Sequence, residues 1–263
     1  MTAGVLPVWW DAAADGPTNM AADELLADEA DRLGGPVIRL YSWAEPAVSL
    51  GAFQRLGEAE ACAAISGLPI VRRPSGGGAI IHGTDLTYAA AVPKSHPWGG
   101  DPQVLYDAMH AAMVATLGEL GFDARLHVTS AADPPADALL CFSRRSSGDV
   151  VVRRTGQPAM ATDPKVMGSA QRRLGTTVLQ HGSLLLARCL RVGGEARHDG
   201  LTEMAGQPLA WTTRSLADRW TSRVAEAAKL VRDVRPAAFV AERLGDVVAR
   251  AARFRDQRWT GRR

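Results

Sequence analysis

The chain has 263 residues, of which 46% are hydrophobic and 22% charged, with a net charge of +2. This fits one large globular domain, or a domain with a small appendage, and so small a charge gives no reason to expect nucleic-acid or membrane binding. Three cysteines without a CxxC pair exclude a disulfide framework. With no signal-peptide pattern in Met1–Trp10 and no apolar run near the roughly 18 residues of a membrane span, the expectation is a cytoplasmic protein.

In chain order, Thr18 or Asn19 is the expected cap of a helix running to Leu33, with apolar Met20, Leu25, Leu26 and Ala30 and a Gly34-Gly35 stop. Val37–Trp43 and Ala47–Gly51 read as strands, and a helix over Gly57–Ile65 leads to another strand at Leu68–Val71. Arg72-Arg73-Pro74-Ser75-Gly76-Gly77-Gly78 follows, and then a β-prone run, Ala79–Ile81, ending at His82. Consecutive glycines let backbone N–H groups approach a ligand, so this stretch is either a cradle for an anionic or carbonyl-bearing group or a plain hairpin turn.

Asp85–Val92 reads as a strand stopped by Pro93, and Lys94–Gly100 as a loop. Asp101-Pro102 opens the clearest helix, with Leu105, Met109, Met113, Leu117 and Leu120 at helical spacing and Gly121 as its end. A loop over Ala131–Asp137 delivers a buried strand at Ala138–Phe142, and Val150–Val152 is a further strand. Arg153–Pro164 is a turn-rich insertion, and Lys165–Gln171 and Thr177–Leu186 read as a hairpin pair. Two amphipathic helices over 215–232 and 236–255, separated by Pro236, precede a frayed basic tail, Arg253–Arg263. Strands in the middle with helices at both ends argue for an α+β fold with a mixed, mostly antiparallel central sheet flanked by helices. Residues 1–212 form the expected main domain, and 213–263 a C-terminal helical extension packed on it.

Cys141 is either buried packing or a nucleophile, and as a nucleophile it needs help to ionise from a free pKa of about 8.5. Lys165, one of only three lysines in the chain, could supply the charge. Otherwise it is a solvated strand-end lysine. The small-residue run Gly168-Ser169-Ala170 suits backbone N–H donors to an oxyanion. His82 and His181, with Gly182 beside the latter, are either site residues or strand-end hydrogen-bonding groups. No HExxH or CxxC is present, so no metal site is expected; no GxSxG, GxxxxGK[ST] or GxGxxG motif occurs either.

Taken together in order, several segments resemble the lipoate-protein ligase and octanoyltransferase family, which is related to the biotin protein ligases. They are Asn19-Met20-Ala21 with Asp23-Glu24; Pro46 to Gly51 with Phe53-Gln54; Arg72 to Ala79 with His82; Asp85 to Tyr88; Cys141-Phe142; Lys165 with Gly168 to Arg172; and Gln180 to Leu185. The resemblance implies a biotin/lipoate protein ligase-like fold. It also implies a pocket for an acyl group lined by Arg73, Ser75, Gly76, Gly77, Gly78, Ala79, His82, Gly168, Ser169, Ala170, His181 and Gly182, with Cys141 and Lys165 catalytic.

The "CF" pair and the Leu86-Thr87-Tyr88 run look most like the Gram-positive-type octanoyltransferases, which pass an octanoyl group from a carrier protein to a lipoyl domain. That branch implies an octanoyl-loaded acyl carrier protein as donor. The implied acceptor is the glycine-cleavage H protein or an E2 subunit of a 2-oxoacid dehydrogenase. No cofactor is then required; ATP and magnesium belong to the alternative of a lipoate ligase, and a lipoyl-domain amidotransferase is a second alternative. Departures from the branch are Gly78 where arginine is common, the spacing of 24 between Cys141 and Lys165, and Gly148-Asp149-Val150 in place of its usual aromatic and acidic residues.

Overall fold

The computed structural model describes residues 4–131, 133, 138–154, 156, 158, 160, 163–205 and 209–262. Strand Val5–Trp10 (β1) and helix Gly16–Leu33 (α1) open the chain. Strands Val37–Tyr41 (β2) and Ala47–Leu50 (β3), helix Leu56–Glu60 (α2), and strands Ile70–Arg72 (β4), Ile80–His82 (β5) and Asp85–Pro93 (β6) follow. Helices Pro97–Gly100 (α3) and Pro102–Glu119 (α4) precede strands Ala124–Leu126 (β7), Val150–Val152 (β8), Lys165–Leu174 (β9) and Thr177–Leu185 (β10). Helices Leu201–Ala205 (α5) and Thr213–Ala227 (α6), strand Val231–Val234 (β11), and helices Phe239–Glu242 (α7), Leu244–Arg255 (α8) and Gln257–Thr260 (α9) complete it.

The main sheet has eight strands in the order β11-β1-β2-β6-β10-β9-β8-β7. β1 pairs in parallel with both β11 and β2, and every other pairing in this sheet is antiparallel. A second sheet of three strands, β4-β3-β5, carries the glycine loop between β4 and β5. The mixed, mostly antiparallel α+β architecture expected from the pattern of elements is therefore present.

The two-residue period of the strands feeds a core on each face of the main sheet. Ile38 and Leu40 turn to one face, where they join Tyr88, Ala90 and Val178 against Leu105, Met109 and Met113 of α4 and Trp220 of α6. Val37 and Tyr41 turn to the other face, with Ala89, Ala91 and Leu179, against α1 and Val247, Ala251 and Phe254 of α8. Because α1 lies between the sheet and α8, its polar Asn19, Asp23, Glu24 and Glu29 are buried, and Asp23 pairs with Arg39 of β2 at 2.8 Å.

Several elements differ from the sequence expectation. Helix α1 starts earlier than expected, with Asp15 accepting from Thr18 N as its cap, while Asn19 is buried and donates to the carbonyls of Ala14 and Ser42. The helix expected over 57–65 ends at Glu60, a 3-10 turn following at Ala63–Ile65, and the loop at 94–100 contains α3. Of the strand expected over 138–142, only a single bridge from Leu140 to Ala79 forms, and Cys141–Ser143 is a 3-10 turn. Strands β1, β7 and β11 are additional. The helix expected to reach 232 stops at Ala227, and the second helix, expected from 236, begins at Phe239 and is interrupted at Arg243.

The C-terminal tail is not frayed: Trp259 in α9 donates to the carbonyl of Arg72 at 2.9 Å. The loop expected over Ala131–Asp137 and the insertion at Arg153–Pro164 lie largely or partly outside the described residues.

Candidate active site

The 3-10 turn Cys141–Ser143 is held against the glycine loop by two main-chain hydrogen bonds, Cys141 N to Ala79 O at 2.7 Å and Ala79 N to Leu139 O at 2.8 Å. Gly78 is needed for that approach. A Cβ on Gly78 would lie 2.8 Å from Cys141 N and 2.9 Å from its Cα. The same contact explains why no arginine stands here: any side chain at 78 would push the cysteine turn away.

Lys165, the first residue of β9, places Nζ 3.5 Å from Cys141 Sγ and 2.8 Å from the Asp149 carboxylate. Lys165 and Asp149 are buried and Cys141 is half-buried. Burial works to discharge the ammonium, but Cys141 and then Asp149 outweigh it and hold the Lys165 pKa above the ordinary lysine value. The ammonium fits only because residue 168 is glycine: a Cβ there would sit 2.5 Å from Lys165 Cε and 2.7 Å from Nζ.

Asp149 is the residue that sequence reading missed. Its carboxylate accepts from Ser146 N at 2.8 Å and from the Tyr106 hydroxyl at 3.2 Å, so it is fixed from three sides around Lys165. The acidic residue in Gly148-Asp149-Val150 was the available signal, but nothing in the sequence showed that it faces a lysine sixteen positions on.

A neutral relay lies behind this pair. His110 Nδ1–H donates to Gly148 O at 2.7 Å, which leaves Nε2 to accept from the Ser169 hydroxyl at 2.6 Å. Tyr88 reaches Ser169 at 2.6 Å, and Gln180 donates to Tyr88 at 2.7 Å. Complete burial pushes His110 down to about 4, which preserves this directionality at neutral pH.

The other expected residues fall into two groups around a small cavity lined by Tyr41, Trp43, Ser49, Arg73, Ile80, His82, His181 and Gly182. Ser75 donates to His181 Nε2, and His181 Nδ1 faces Asp23 at 3.3 Å. Ser49 donates to His82 Nε2 at 2.8 Å, and His82 Nδ1 donates to Asp85 at 2.8 Å while its ring stacks on Trp43. Both serines are buried. Ile80 of that lining also packs with Phe142 and Leu185, and Cys141 lies against this cluster.

Arg72 and Arg73 are main-chain braces. Arg73 donates to the carbonyls of Ser49, Gly76 and Gly78, and Arg72 to those of Gly51, Gln54 and Thr260. Gly76 and Gly77 sit in the loop itself, and Ala170 of β9 comes up against Gly77 from across the site. Among the described residues β8 pairs with β9 only at Lys165 and Met167, so no strand covers the outer edge of Gly168–Ala170. No group of three His, Cys, Asp or Glu side chains among the described residues is arranged to hold a metal ion, and no described helix is long and apolar enough to cross a membrane.

Among solved structures, the fold is similar to a bi-partite lipoate protein ligase from Thermoplasma acidophilum, solved as part of a study with its E2 lipoyl domain. The TM-score is 0.67 at 18% identity, covering 98% of this chain and 96% of that one. A lipoate-protein ligase A bound with ATP aligns with a TM-score of 0.64 at 18% identity, over 99% of this chain and 96% of that one. In sequence, the octanoyltransferase LipM of Kyrpidia tusciae is 31% identical over 236 residues, covering 88% of this chain and 80% of the relative. LipM of Symbiobacterium thermophilum is 34% identical over 221 residues, 74% of this chain and 77% of the relative. The model of the lipoyl protein ligase A/B catalytic domain matches residues 15–241, and the chain belongs to that family.

Proposed function

We propose that this protein is an octanoyltransferase of lipoate assembly, which moves an octanoyl group from a carrier-protein thioester to a lysine of a lipoyl domain through a thioester on Cys141. The observation that carries the mechanism is the buried Lys165 ammonium 3.5 Å from the Cys141 sulfur, countered by Asp149. A fixed positive charge at that distance favours thiolate over thiol.

In the first half-reaction the Cys141 thiolate attacks the thioester carbonyl carbon. Main-chain N–H groups of the uncovered β9 edge, Gly168–Ala170, take the oxyanion. The intermediate collapses with loss of the carrier thiolate, which Lys165 protonates. In the second half-reaction the acceptor lysine amine attacks the acyl-cysteine. Lys165, now neutral, takes the proton from nitrogen, and the Cys141 thiolate leaves to give the amide. The donor thioester carries its own activation, so the cycle needs no ATP.

In this reading the acyl chain runs from Cys141 past Ile80 toward the cavity bounded by Arg73, His82, His181 and Gly182, whose volume of about 10 Å³ has to widen to admit it. The alternative of an ATP-dependent ligase asks Arg72 and Arg73 to hold an adenylate. Both guanidiniums are buried and turned onto main-chain carbonyls, which weighs against it. The amidotransferase alternative uses the same cysteine chemistry and differs only in the donor. Lipoyl-domain proteins are the acceptors, with the H protein or an E2 subunit as the specific candidates, and the cytoplasm is the place where carrier and acceptor meet.

The test is intact mass after incubation with octanoyl-loaded acyl carrier protein without ATP. The wild type gains one octanoyl group and passes it to a lipoyl domain, and Cys141→Ala does neither. Octanoyl transfer retained in that variant would sink the mechanism. Transfer that appears only with free octanoate and ATP would establish the ligase instead.

A further inference from the structure

The tail of the chain is tied to the candidate nucleophile through a continuous path of hydrogen bonds between side chains and main-chain groups. In α9, Trp259 Nε1 donates to Arg72 O at 2.9 Å, and Arg72 Nε donates back to Thr260 O at 2.7 Å. The Trp259 ring is flanked by two guanidiniums, Arg262 at 3.6 Å and Arg253 at 4.3 Å from its centroid. On its other side, the Arg72 guanidinium donates to Gly51 O at 2.9 Å and Gln54 O at 2.7 Å.

Gln54 in turn uses both ends of its amide. Oε1 accepts from Gly51 N at 3.0 Å, and Nε2 donates to Leu139 O at 2.8 Å. Leu139 O is the carbonyl that also receives Ala79 N, and Ala79 O receives Cys141 N. The path therefore runs α9, Arg72, the turn 51–54, Leu139, Cys141. The part of the path next to the nucleophile is a 3-10 turn that has one isolated bridge to the sheets and otherwise relies on side-chain packing of Leu140 and Phe142, not on a strand ladder. Without a ladder of main-chain hydrogen bonds, the exact position of its backbone depends on bonds such as that from Gln54 to Leu139 O.

We propose that α9 and Gln54 form a latch that sets the position of the Cys141 turn against Lys165, making Trp259 and Gln54 positioning residues for acyl transfer. The proposal rests on the reading of Cys141 as nucleophile, but its physical core, the placement of the sulfur beside the ammonium, has its own readout. Released from Leu139, the turn drifts outward and the sulfur moves away from the Lys165 ammonium.

The test uses the full chain as wild type, Gln54→Met, which keeps length but removes both amide bonds, Trp259→Phe, which keeps an aromatic ring but removes the N–H, and Trp259→Ala. Alkylation of Cys141 by iodoacetamide is followed against pH by peptide mass, which separates it from Cys62 and Cys189. The latch predicts that the alkylation profile moves to higher pH in Gln54→Met and Trp259→Ala, and by less in Trp259→Phe. Single-turnover acylation slows about tenfold in the first two, as misplacement of a reacting group does, while the half-saturating carrier concentration stays unchanged. Variants that melt earlier yet alkylate with the wild-type pH profile would reduce these contacts to ordinary stabilisation and overturn the latch. Transfer that survives Cys141→Ala would overturn the catalytic reading, whereas the alkylation profile would still decide the latch.

Discussion

At Gly168, shape and chemistry can be separated experimentally. The atoms that a Cβ would strike are the far end of the flexible Lys165 side chain, at 2.5 and 2.7 Å, not rigid backbone. Gly168→Ala is therefore predicted to leave the backbone in place, because the lysine swings aside, while lowering stability through the buried Asp149 carboxylate it leaves unpaired. It should also lose most activity, on the order of a hundredfold, because the ammonium leaves Cys141 and Asp149. Paired measurements of melting temperature and single-turnover acylation check this. A variant that acylates at the wild-type rate would mean that the Lys165 position does not matter. Gly78→Ala differs, because its Cβ meets the main chain of Cys141 and the turn itself must move.

At the scale of elements, the sheet is stiffened from opposite faces by α1 and by the α4–α6 pair. Trp220 of α6 is the anchor of the second arrangement. It is buried, donates from Nε1 to Met109 O at 3.0 Å, and meets the Tyr88 ring edge-on at 4.8 Å. Trp220→Ala removes a large apolar group and leaves the Met109 carbonyl without that donor, so a loss of about 3–5 kcal/mol is expected from urea unfolding. Tyr88 also holds Ser169, so the same variant should disturb the relay to His110. A loss under about 1 kcal/mol would show that α6 contributes little to the fold.

These elements were unequally legible in the sequence. The β9–β10 hairpin, β6 and α4 were recognisable because long apolar periods and strong stop signals sit within each segment. β11 was not, since Val231-Arg232-Asp233-Val234 has too short an apolar pattern, and its parallel partner β1 lies at the other end of the chain. The apolar Leu139-Leu140 lead-in reads as a strand, yet the Cys141 turn is held by the glycine loop and not by a ladder of strand partners.

For the molecule as a whole, the buried ionisable groups set a pH window. Burial lowers the pKa of His110 to about 4 from 6.5 and also lowers that of His181. Below pH 6.5 the unfolded chain therefore binds protons that the fold excludes, and stability falls steadily toward pH 4. Burial would raise the pKa of Asp85, but His82, Thr87 and Ser183 together hold it below its ordinary 3.8, so its contribution is lost at still lower pH. Lys165 is raised above 10.5, so its contribution is present below that value and is lost at higher pH. The melting temperature should be highest between about pH 7 and 10 and drop on acidification from 6.5 to 4. A flat profile across that acidic range would contradict the neutral, buried state of these histidines.

The sequence by itself determined the ordered set of local signals: the triple glycine beside Arg72 and Arg73, the lone central lysine, the Cys141-Phe142 pair and the hairpin Lys165–Leu185. Each is a short segment whose residue types announce what its own backbone or side chain can do, and together they were enough to indicate the family. The tertiary structure alone decided that Lys165 answers to Asp149, that Arg72 and Arg73 brace carbonyls, and that the tail closes on the glycine loop. Those are contacts between distant segments. Their existence depends on burial and direction, which the order of residues along a chain does not display.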